Sequence, residues 1–450
     1  MITRIEISGF KSFTDFAVDF APLTVIAGAN ASGKSNLLDA LRVLKGLAEG
    51  QSLGETIYNR GSGIDLFTKY GKKTTAEKMT IAVELLLPKE IVHKRRVERL
   101  AATRMRYEIT ITRPKPEDVE YFEVDTEHLR FIERAEDDYF TRLSSTPSAT
   151  NYFMYAANDT KEIINYDVRE YRINVGEHFN LDDHKELLGE SILSNRDQDV
   201  DLHVTAVREI LTNLNPVDLI SPDNFSDQGS EGRYRKGTNG TILSLLSTLK
   251  KYQPEDIKYL SKRVRQIVKD IVEVDIFVDP FGRSSVTATD ERGARFLAES
   301  LSEGTLRVLA LASYLTLDIP DQTLLLEEPE NGVDPRVLGK ILDLLLDLST
   351  DFSESTDELR QVICTTHSAH LLELVLERRK SNNIKALLAT KLTLTGGKYR
   401  NFGGVSTTRM FEIYPEVALS KVKDPVARVT FKQAMEYLRG SLPNKELLDA

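Results

Sequence analysis

The chain has 450 residues, of which 41% are apolar and 28% charged, so it has the composition of a folded globular protein and not of a disordered or fibrous one. At roughly 100–200 residues per domain, this length allows two or three folded units. No run reaches the ~18 apolar residues that span a bilayer, and the start, MITRIEISGF, lacks the apolar core of a signal peptide. The one cysteine, Cys364, cannot form an internal disulfide. We therefore expect a cytoplasmic protein that does not bind membranes.

The net charge of −10 excludes a globally basic nucleic-acid binder but says nothing about local patches. Basic residues are concentrated at 93–96 with Arg99, Arg104 and Arg106, at 233–236, and at 262–263 with Arg265. In the last stretch they alternate with apolar residues, which is typical of the solvated face of an amphipathic helix. DNA is therefore a candidate partner that needs support from a local surface.

The first predicted elements are strands, a short loop and a helix. Alternating apolar residues at the start indicate a strand, and the apolar run at 23–27 indicates a buried one. Residues 36–45 predict a helix, because their apolar side chains recur at helical spacing. Small residues make up the loop between this buried strand and the helix.

The middle of the chain changes from strands to helices. Residues 80–87, 106–112 and 121–124 are rich in β-branched and aromatic residues and predict an antiparallel β lobe. Three later segments have apolar spacings of three and four and predict helices, at 204–214, 241–249 and 259–272. A linker rich in Ser, Gly, Asp and Asn interrupts them at 221–240.

From residue 306 helices and strands alternate again. Apolar runs at 323–326 and 361–365 predict two buried strands, and the segments around them predict helices at 306–317, 336–348 and from Ala369 onward. The last 60 residues predict a hairpin around Gly396 and Gly397 and a final helix at 430–438.

The loop after the buried strand reads GANASGKS and matches the phosphate-binding pattern GxxxxGK[ST]. Its glycines let backbone N–H groups face a polyphosphate, and the following helix adds the positive end of its dipole. Lys34 would reach the β- and γ-phosphates, and Ser35 would ligate the Mg²⁺ that bridges them. A chance match is the alternative, but the strand before and the helix after are the context the motif requires. We expect ATP and Mg²⁺ as ligands, with ATP bound by Gly28, Asn30, Ser32, Gly33, Lys34, Ser35 and Asn36.

Two adjacent carboxylates end the predicted strand TLLLEE. A buried strand delivers them to its carboxyl end, where ligands of open α/β sheets bind. Glu327 would hold Mg²⁺ through water. Glu328, on the opposite side of the strand, would orient or deprotonate the attacking water. An acidic loop without a catalytic role is the alternative.

Two further motifs carry weaker signals. Ser302 and Gly304 precede an apolar helix and could bind an anion at its N-terminus, but an ordinary helix cap explains them as well. His367 follows the strand predicted at 361–365 and could contact a γ-phosphate, although a lone histidine is more often structural.

The order of these motifs resembles the ABC-type ATPase head, in particular the branch that contains RecF, the SMC proteins and the overcoming-lysogenization-defect (OLD) nucleases. The resemblance covers roughly residues 1–75 and 220–380. It rests on GFKSF at 9–13, the phosphate loop followed by NLLDAL, LSEGT at 301–305, EEPENG at 327–332 and TTHS at 365–368.

The resemblance implies an α/β fold, namely a P-loop NTPase head of ABC type with an antiparallel β lobe and a helical insertion. We accordingly expect the ATPase core at 1–78 and 280–390, the β lobe at 79–175 and the helical insertion at 176–279. A tail of a hairpin and a helix at 391–450 would follow, which the nucleotide site does not need.

The resemblance also implies roles for single residues. Ser302 and Gly304 would bind the γ-phosphate held by the phosphate loop of the opposite protomer, so that ATP joins two heads in a homodimer or a higher oligomer. Glu328 would be the catalytic base and His367 the γ-phosphate sensor. The sequence departs from the family pattern at Glu327, where Asp is more usual, and we find no glutamine loop.

Two features of related ATPases are not found in this sequence, and this limits the subfamilies that it can resemble. SMC proteins carry hundreds of residues of heptads between the phosphate loop and the LSEGT turn, whereas here about 270 strand-rich residues intervene. OLD nucleases carry a Toprim domain after the ATPase, and its acidic residues are not found after Lys391. Two hypotheses follow: a stand-alone ATPase that regulates or delivers a separately encoded effector, such as a nuclease in anti-phage defence, and a RecF-like DNA-repair ATPase.

Overall fold

The computed structural model describes most of the chain. The described residues are 1–58, 63–71, 74–113, 122–155, 166–167, 191–194, 202–217, 225–226, 242–317, 321–354, 358–379, 382–395, 399–400, 404–414 and 428–439. The basic stretch at 233–236, nearly all of the linker at 221–240 and the turn at Gly396 and Gly397 lie outside these ranges.

Twenty β-strands and eleven α-helices lie within the described ranges and are numbered here in chain order. The strands are β1 (Ile2–Ser8), β2 (Phe16–Asp19), β3 (Leu23–Gly28), β4 (Lys69–Tyr70), β5 (Thr74–Thr75), β6 (Lys78–Leu86), β7 (Glu90–His93), β8 (Arg96–Arg99), β9 (Arg104–Thr112), β10 (Glu123–Phe131), β11 (Tyr166–Asp167), β12 (Leu214–Val217), β13 (Ile271–Val278), β14 (Ser284–Asp290), β15 (Arg295–Leu297), β16 (Thr323–Glu327), β17 (Gln361–Thr366), β18 (Ile384–Leu394), β19 (Val405–Tyr414) and β20 (Arg428–Thr430). The helices are α1 (Lys34–Ala48), α2 (Leu53–Tyr58), α3 (Asp138–Leu143), α4 (Pro147–Thr150), α5 (Leu202–Thr212), α6 (Ile242–Tyr252), α7 (Pro254–Ile267), α8 (Glu303–Leu317), α9 (Leu338–Asp347), α10 (Ala369–Arg378) and α11 (Phe431–Leu438). None of these described helices is long and apolar enough to cross a membrane.

The central sheet contains the strand that leads into the phosphate loop. Its described strands have the order β12-β16-β17-β3-β18-β19-β20; the first five are parallel, and β19 is antiparallel to β18. β3 lies in the middle and is buried at all six residues, as predicted. Its alternate side chains serve two cores, because Ile26 packs into one apolar cluster and Val25 into another. A parallel strand covered on both faces is apolar throughout for this reason.

A second sheet is antiparallel and confirms the predicted β lobe. Its described strands have the order β11-β10-β9-β6-β1-β2. The strands expected at 80–87, 106–112 and 121–124 correspond to β6, β9 and β10, which pair antiparallel. β1 also pairs with β6, so the first strand of the chain belongs to the same sheet.

Two arginines of the first basic stretch are structural. Arg104 is fully buried and donates to both carboxylate oxygens of Asp137, at 2.7 and 3.0 Å. Arg106 donates to Glu6 and Glu108 at 2.8 Å each. Both arginines lie on one face of β9, because side chains two residues apart in a strand share a face. These two arginines are therefore held in ion pairs within the protein and do not add to a basic surface at residues 93–99.

The helix expected at 259–272 is wrong at its end. Helix α7 ends at Ile267, and β13 begins at Ile271 and forms an antiparallel sheet with β14 and β15. The side chains at Val274, Ile276 and Val278 alternate along β13, and β-branched residues favour a strand over a helix. The helix expected at 204–214 likewise ends early: the corresponding helix, α5, ends at Thr212. Leu214, the last residue of the expected helix, is the first residue of β12.

Candidate functional site

The phosphate-binding loop joins β3 to α1 at the carboxyl end of the central parallel strands. Gly33 precedes the helix with φ of 101°, a left-handed conformation that favours glycine. A Cβ at Gly33 would lie 2.0 Å from Thr408 Oγ1, so no side chain fits there. No described side chain caps α1, which leaves the first N–H groups of the helix available to an anion.

Lys34 begins α1 and reaches back over the loop. Its Nζ donates to the carbonyl oxygens of Gly28 at 2.8 Å and Ala29 at 3.0 Å. Burial lowers the pKa of the Lys34 ammonium, and nearby carboxylates led by Glu328 partly offset this shift. Ser32 Oγ is buried in the same loop and has no hydrogen-bond partner among the described residues. A phosphate oxygen would satisfy these donors, so the loop fits a polyphosphate.

Ser35 and Glu327 bring two oxygen donors together beside the loop. Ser35 Oγ donates to Glu327 Oε2 at 3.1 Å. The Glu327 side chain is 41% exposed, which leaves space for water. Mg²⁺ prefers oxygen ligands, takes one or two carboxylates from a protein and retains several waters. These two residues therefore fit the Mg²⁺ expected from the sequence.

Glu328 follows β16 in a left-handed conformation with φ of 50°. This conformation costs a non-glycine residue on the order of 1–3 kcal/mol and needs support from its surroundings. Its backbone N–H donates to Thr365 O at 3.0 Å, and its carbonyl accepts from Arg307 Nη1 at 3.0 Å. Its carboxylate lies 3.0 Å from His367 Nδ1 and accepts a hydrogen bond from Asn331. The backbone and the carboxylate of Glu328 are thus both fixed.

The carboxylate of Glu328 is held in its ionised form. Burial by itself would raise its pKa, but hydrogen bonds from His367 and Asn331, together with electrostatic interactions with His367 and Lys34, hold the pKa below the usual range of a glutamate. Glu328 is therefore ionised at neutral pH. An ionised carboxylate in this position can accept a hydrogen bond or a proton from water.

Ser302 and Gly304 lie at the start of α8. Ser302 Oγ accepts from Thr305 N at 3.2 Å, which is the geometry of a helix cap. A Cβ at Gly304 would lie 2.1 Å from Gly332 O, so the helix start packs directly on the turn that follows Glu328. In the described part of the chain, no hydrogen bond joins either residue to the phosphate loop of the same chain. Their anion-binding role stays a prediction.

Most sequence-predicted site residues meet at one end of the central sheet. The phosphate loop follows β3, Glu327 ends β16 with Glu328 directly after it, and His367 follows β17; these strands are parallel neighbours. Asn36 is directed away, because its Nδ2 donates to Ser12 Oγ at 2.8 Å. Asn30 is exposed, and its side chain makes no hydrogen bond to a described residue.

Glu330 lies behind the site, and its carboxyl group is buried. It is only 7% exposed; Oε1 accepts from Thr366 Oγ1, and Oε2 has no partner among the described residues. Its charge acts on Lys34 and opposes the effect of burial on that ammonium. A buried carboxylate oxygen without a hydrogen-bond donor destabilises the folded state. Stability of the fold therefore does not explain why a glutamate lies at this position.

Two side chains that support the site escaped the sequence analysis. Thr408, on β19, donates to Ser32 O at 2.9 Å and lies 2.7 Å from Ser12 Oγ. One residue of the tail expected at 391–450 thus contacts the phosphate loop, and whether the nucleotide site needs the tail stays a prediction. Arg307, one turn after the start of α8, ties this helix to Glu328 O. Its helical spacing from Gly304 was the only available signal, whereas no motif marks Thr408.

The sequence matches a known protein family over most of its length. The family model described as "AAA domain, putative AbiEii toxin, Type IV TA system" matches residues 23–373, which is 351 of 450 residues. The chain belongs to this family. The matched residues of this AAA-domain protein include the phosphate loop, the paired carboxylates and the LSEGT turn.

Short stretches of this AAA-domain protein match larger proteins. It is 50% identical over 54 residues to the chromosome partition protein Smc of Synechocystis sp., and 41% identical over 69 residues to that of Bordetella petrii. These stretches are 12% and 14% of this chain but 4% and 6% of the relatives, so they cover a small part of either Smc protein.

Solved Smc heads are similar at low sequence identity. The Smc head bound to the C-winged helix domain of ScpA is 17% identical, with 94% of this chain and 99% of that chain covered and a TM-score of 0.48. The Smc head domain with a coiled coil and joint derived from Pyrococcus yayanosii is 15% identical, with 98% and 99% covered and a TM-score of 0.47.

Proposed function

We propose that this chain binds and hydrolyses Mg²⁺·ATP at a site completed by a second copy of the chain. One observation carries the proposal: the ionised Glu328, paired with His367, lies at the same end of the sheet as an uncapped helix that starts with Lys34. The groups needed to hold phosphates and to orient a water molecule therefore converge.

Each residue of this edge has a role in the proposed reaction. Lys34 holds the β- and γ-phosphates, and Ser35 with Glu327 holds Mg²⁺, which neutralises the charge that develops on the phosphate oxygens when it is bound. Glu328 orients or deprotonates the attacking water, and His367 contacts the γ-phosphate. The strain at Glu328 supports this assignment, because backbone strain of this kind clusters at functional sites.

The second copy supplies Ser302 and Gly304. Ser302 is exposed at the start of α8, where N–H groups attract an anion. Gly304 packs on Gly332, and Arg307 of the same helix donates to Glu328 O. A phosphate bound in trans at α8 would therefore be linked mechanically to Glu328 of the chain that carries α8. Two such sites would join the heads in a homodimer, or in pairs within a higher oligomer.

The ATP-gated dimer regulates or delivers a separately encoded effector, a nuclease in anti-phage defence. The family is described as a putative toxin of a type IV toxin–antitoxin system, and such a system has two components, of which this chain would be one. Closure on ATP and opening after hydrolysis supply two states, and a partner that binds them with different affinity is controlled by the nucleotide.

A trapped variant tests the proposal. Glu328→Gln should hold the ATP state and co-purify a second protein encoded beside this chain, whereas Lys34→Ala, which cannot bind ATP, should not. Release of that protein should follow hydrolysis in the wild type. Recovery of the trapped chain alone, with strong binding to DNA ends, would reject the effector role.

A RecF-like DNA-binding ATPase is the second candidate, and one hairpin favours it. β7 and β8 form a two-stranded ribbon whose turn residues Lys94 and Arg95 have φ of 48° and 66°. Between residues 89 and 99 there are five basic and two acidic residues, although the whole chain is acidic. Val92 and Val97, paired across the ribbon, are 65% and 67% exposed. A two-stranded ribbon fits the major groove of DNA, which is about 12 Å wide.

Salt dependence tests this alternative. If the ribbon contacts phosphates, changing Arg95 and Arg96 to Ala should weaken binding to a short DNA duplex and reduce the slope of log affinity against log salt by about 1 per lost contact. Lys258→Ala on α7 is the control, because Lys258 pairs with Glu255 on an exposed helix face. Equal slopes in all three proteins would exclude the ribbon.

A further inference from the structure

One face of α1 joins the phosphate loop to the carboxylate that ends β16. Ser35, Asp39 and Arg42 share this face, because residues four and seven apart in a helix lie in line. Arg42 Nη2 donates to Glu327 Oε1 at 2.9 Å, and Arg42 Nη1 donates to Asp39 Oδ1 at 3.1 Å. Lys11 Nζ donates to Asp39 Oδ2 at 2.5 Å. The lysine of the GFKSF motif thus helps to hold the aspartate that orients Arg42.

Both carboxylate oxygens of Glu327 therefore have a donor. Ser35 Oγ donates a hydrogen bond to Oε2, and the guanidinium of Arg42 donates one to Oε1. Glutamate has one more rotatable bond than the aspartate usual at this position, so its carboxylate needs more support to stay in one place. The guanidinium keeps its charge at any physiological pH. Glu327 and Arg42 together carry no net charge.

We propose that Arg42 is a positioning residue that makes divalent-cation binding at Ser35 and Glu327 depend on bound nucleotide. The inference rests on the proposed function of this site. A free cation that approaches the pair meets a carboxylate already paired with a guanidinium, so its binding there is weak. ATP phosphates add the negative charge that reverses this balance. Asp39 and Lys11 keep Arg42 in place.

Binding of Mn²⁺ without nucleotide, measured by electron paramagnetic resonance, tests the inference directly. We expect weak binding to the wild type and about tenfold tighter binding to Arg42→Ala, from the loss of one charge near a dication in a water-like medium. Arg42→Lys keeps the charge and should stay close to the wild type. Lys45→Ala is the matched control: Lys45 lies on the same helix but pairs with Glu49 at 3.0 Å, so its loss should leave Mn²⁺ affinity unchanged.

A double variant locates the cation. The increase in Mn²⁺ affinity expected for Arg42→Ala should disappear in the double variant that also carries Glu327→Gln. Mn²⁺ affinity that is equal in Arg42→Ala, Lys45→Ala and the wild type would overturn the inference, as would a gain that survives Glu327→Gln. Thermal unfolding midpoints within a few degrees of each other show that the comparison uses folded protein. Absence of ATP hydrolysis in the wild type would instead reject the proposed function, and it would leave the Mn²⁺ comparison readable.

Discussion

His367 Nδ1 lies 3.0 Å from Glu328 Oε1, where β17 and β16 end side by side in the central sheet. The proposed base and the proposed phosphate sensor are therefore one hydrogen-bonded unit. His367 contributes both a hydrogen bond and an electrostatic interaction that favour the ionised carboxylate. A change at His367 should consequently alter the chemistry of Glu328 as well.

Loss of His367 should move the acid limb of ATP hydrolysis to higher pH. In the wild type the pKa of Glu328 is lowered below its ordinary value of 4.5, so the ionised form persists at pH values below 4.5 and is lost only as the pH falls through the lowered pKa. In His367→Ala the effect of burial is no longer offset by the histidine, so the pKa of Glu328 rises. Profiles of kcat against pH check this, with His370→Ala as control, since that histidine contacts Glu373 at 3.7 Å. An acid limb at the same pH in both variants would disprove the coupling.

Lys34→Ala and Glu328→Gln should both abolish hydrolysis, for different reasons. The first removes the ammonium that holds the phosphates, so ATP affinity falls. The second keeps the shape of the side chain but removes the charge that orients water, so ATP still binds and only the chemical step is lost. Nucleotide binding by calorimetry separates the two. Equal loss of binding in both variants would contradict the assignment of Glu328 as base.

The sequence predicted the convergence of the site because its parts are local and strand-linked. A buried apolar strand followed by GANASGKS, and another ending in two glutamates, must deliver their motifs to the same end of a parallel sheet. That reasoning needs no knowledge of distant contacts. It brought Lys34, Glu327, Glu328 and His367 to one edge, where the structure has them.

Contacts between distant segments could not be predicted in this way. Thr408 reaches the phosphate loop from the tail, and Glu330 Oε2 is buried without a partner among the described residues. The strand that begins at Ile271 was missed because an amphipathic helix directly precedes it and hides the change from helical to alternating period. The position of Arg42 could have been predicted from the sequence, because it lies seven residues after Ser35 on the same face of α1.

Thr408→Val should weaken ATP binding while leaving the fold intact. Valine keeps the volume beside Gly33 but cannot donate to Ser32 O or contact the Ser12 hydroxyl. One lost hydrogen bond of about 0.5–1.5 kcal/mol corresponds to roughly two- to twelvefold in affinity. Fluorescent-nucleotide titration measures it. Ser406→Ala on the same strand is exposed and should bind ATP like the wild type. Equal affinity in all three would mean that Thr408 does not support the loop.

Ser302→Arg should abolish hydrolysis while leaving ATP binding to the single chain nearly intact, because the Ser302 side chain hydrogen-bonds only to Thr305 of its own helix start within the described chain. Mixing separates a shared site from a local defect. A dimer of one Ser302→Arg chain and one Lys34→Ala chain has one site with both defects and one with neither. Random pairing of equal amounts should therefore restore roughly a quarter of the wild-type rate, as expected for a two-fold dimer. Ser302→Ala, which introduces no bulk, should be less impaired than Ser302→Arg. If mixtures stay inactive at every ratio while both variants remain folded and associated, the two copies do not share the site.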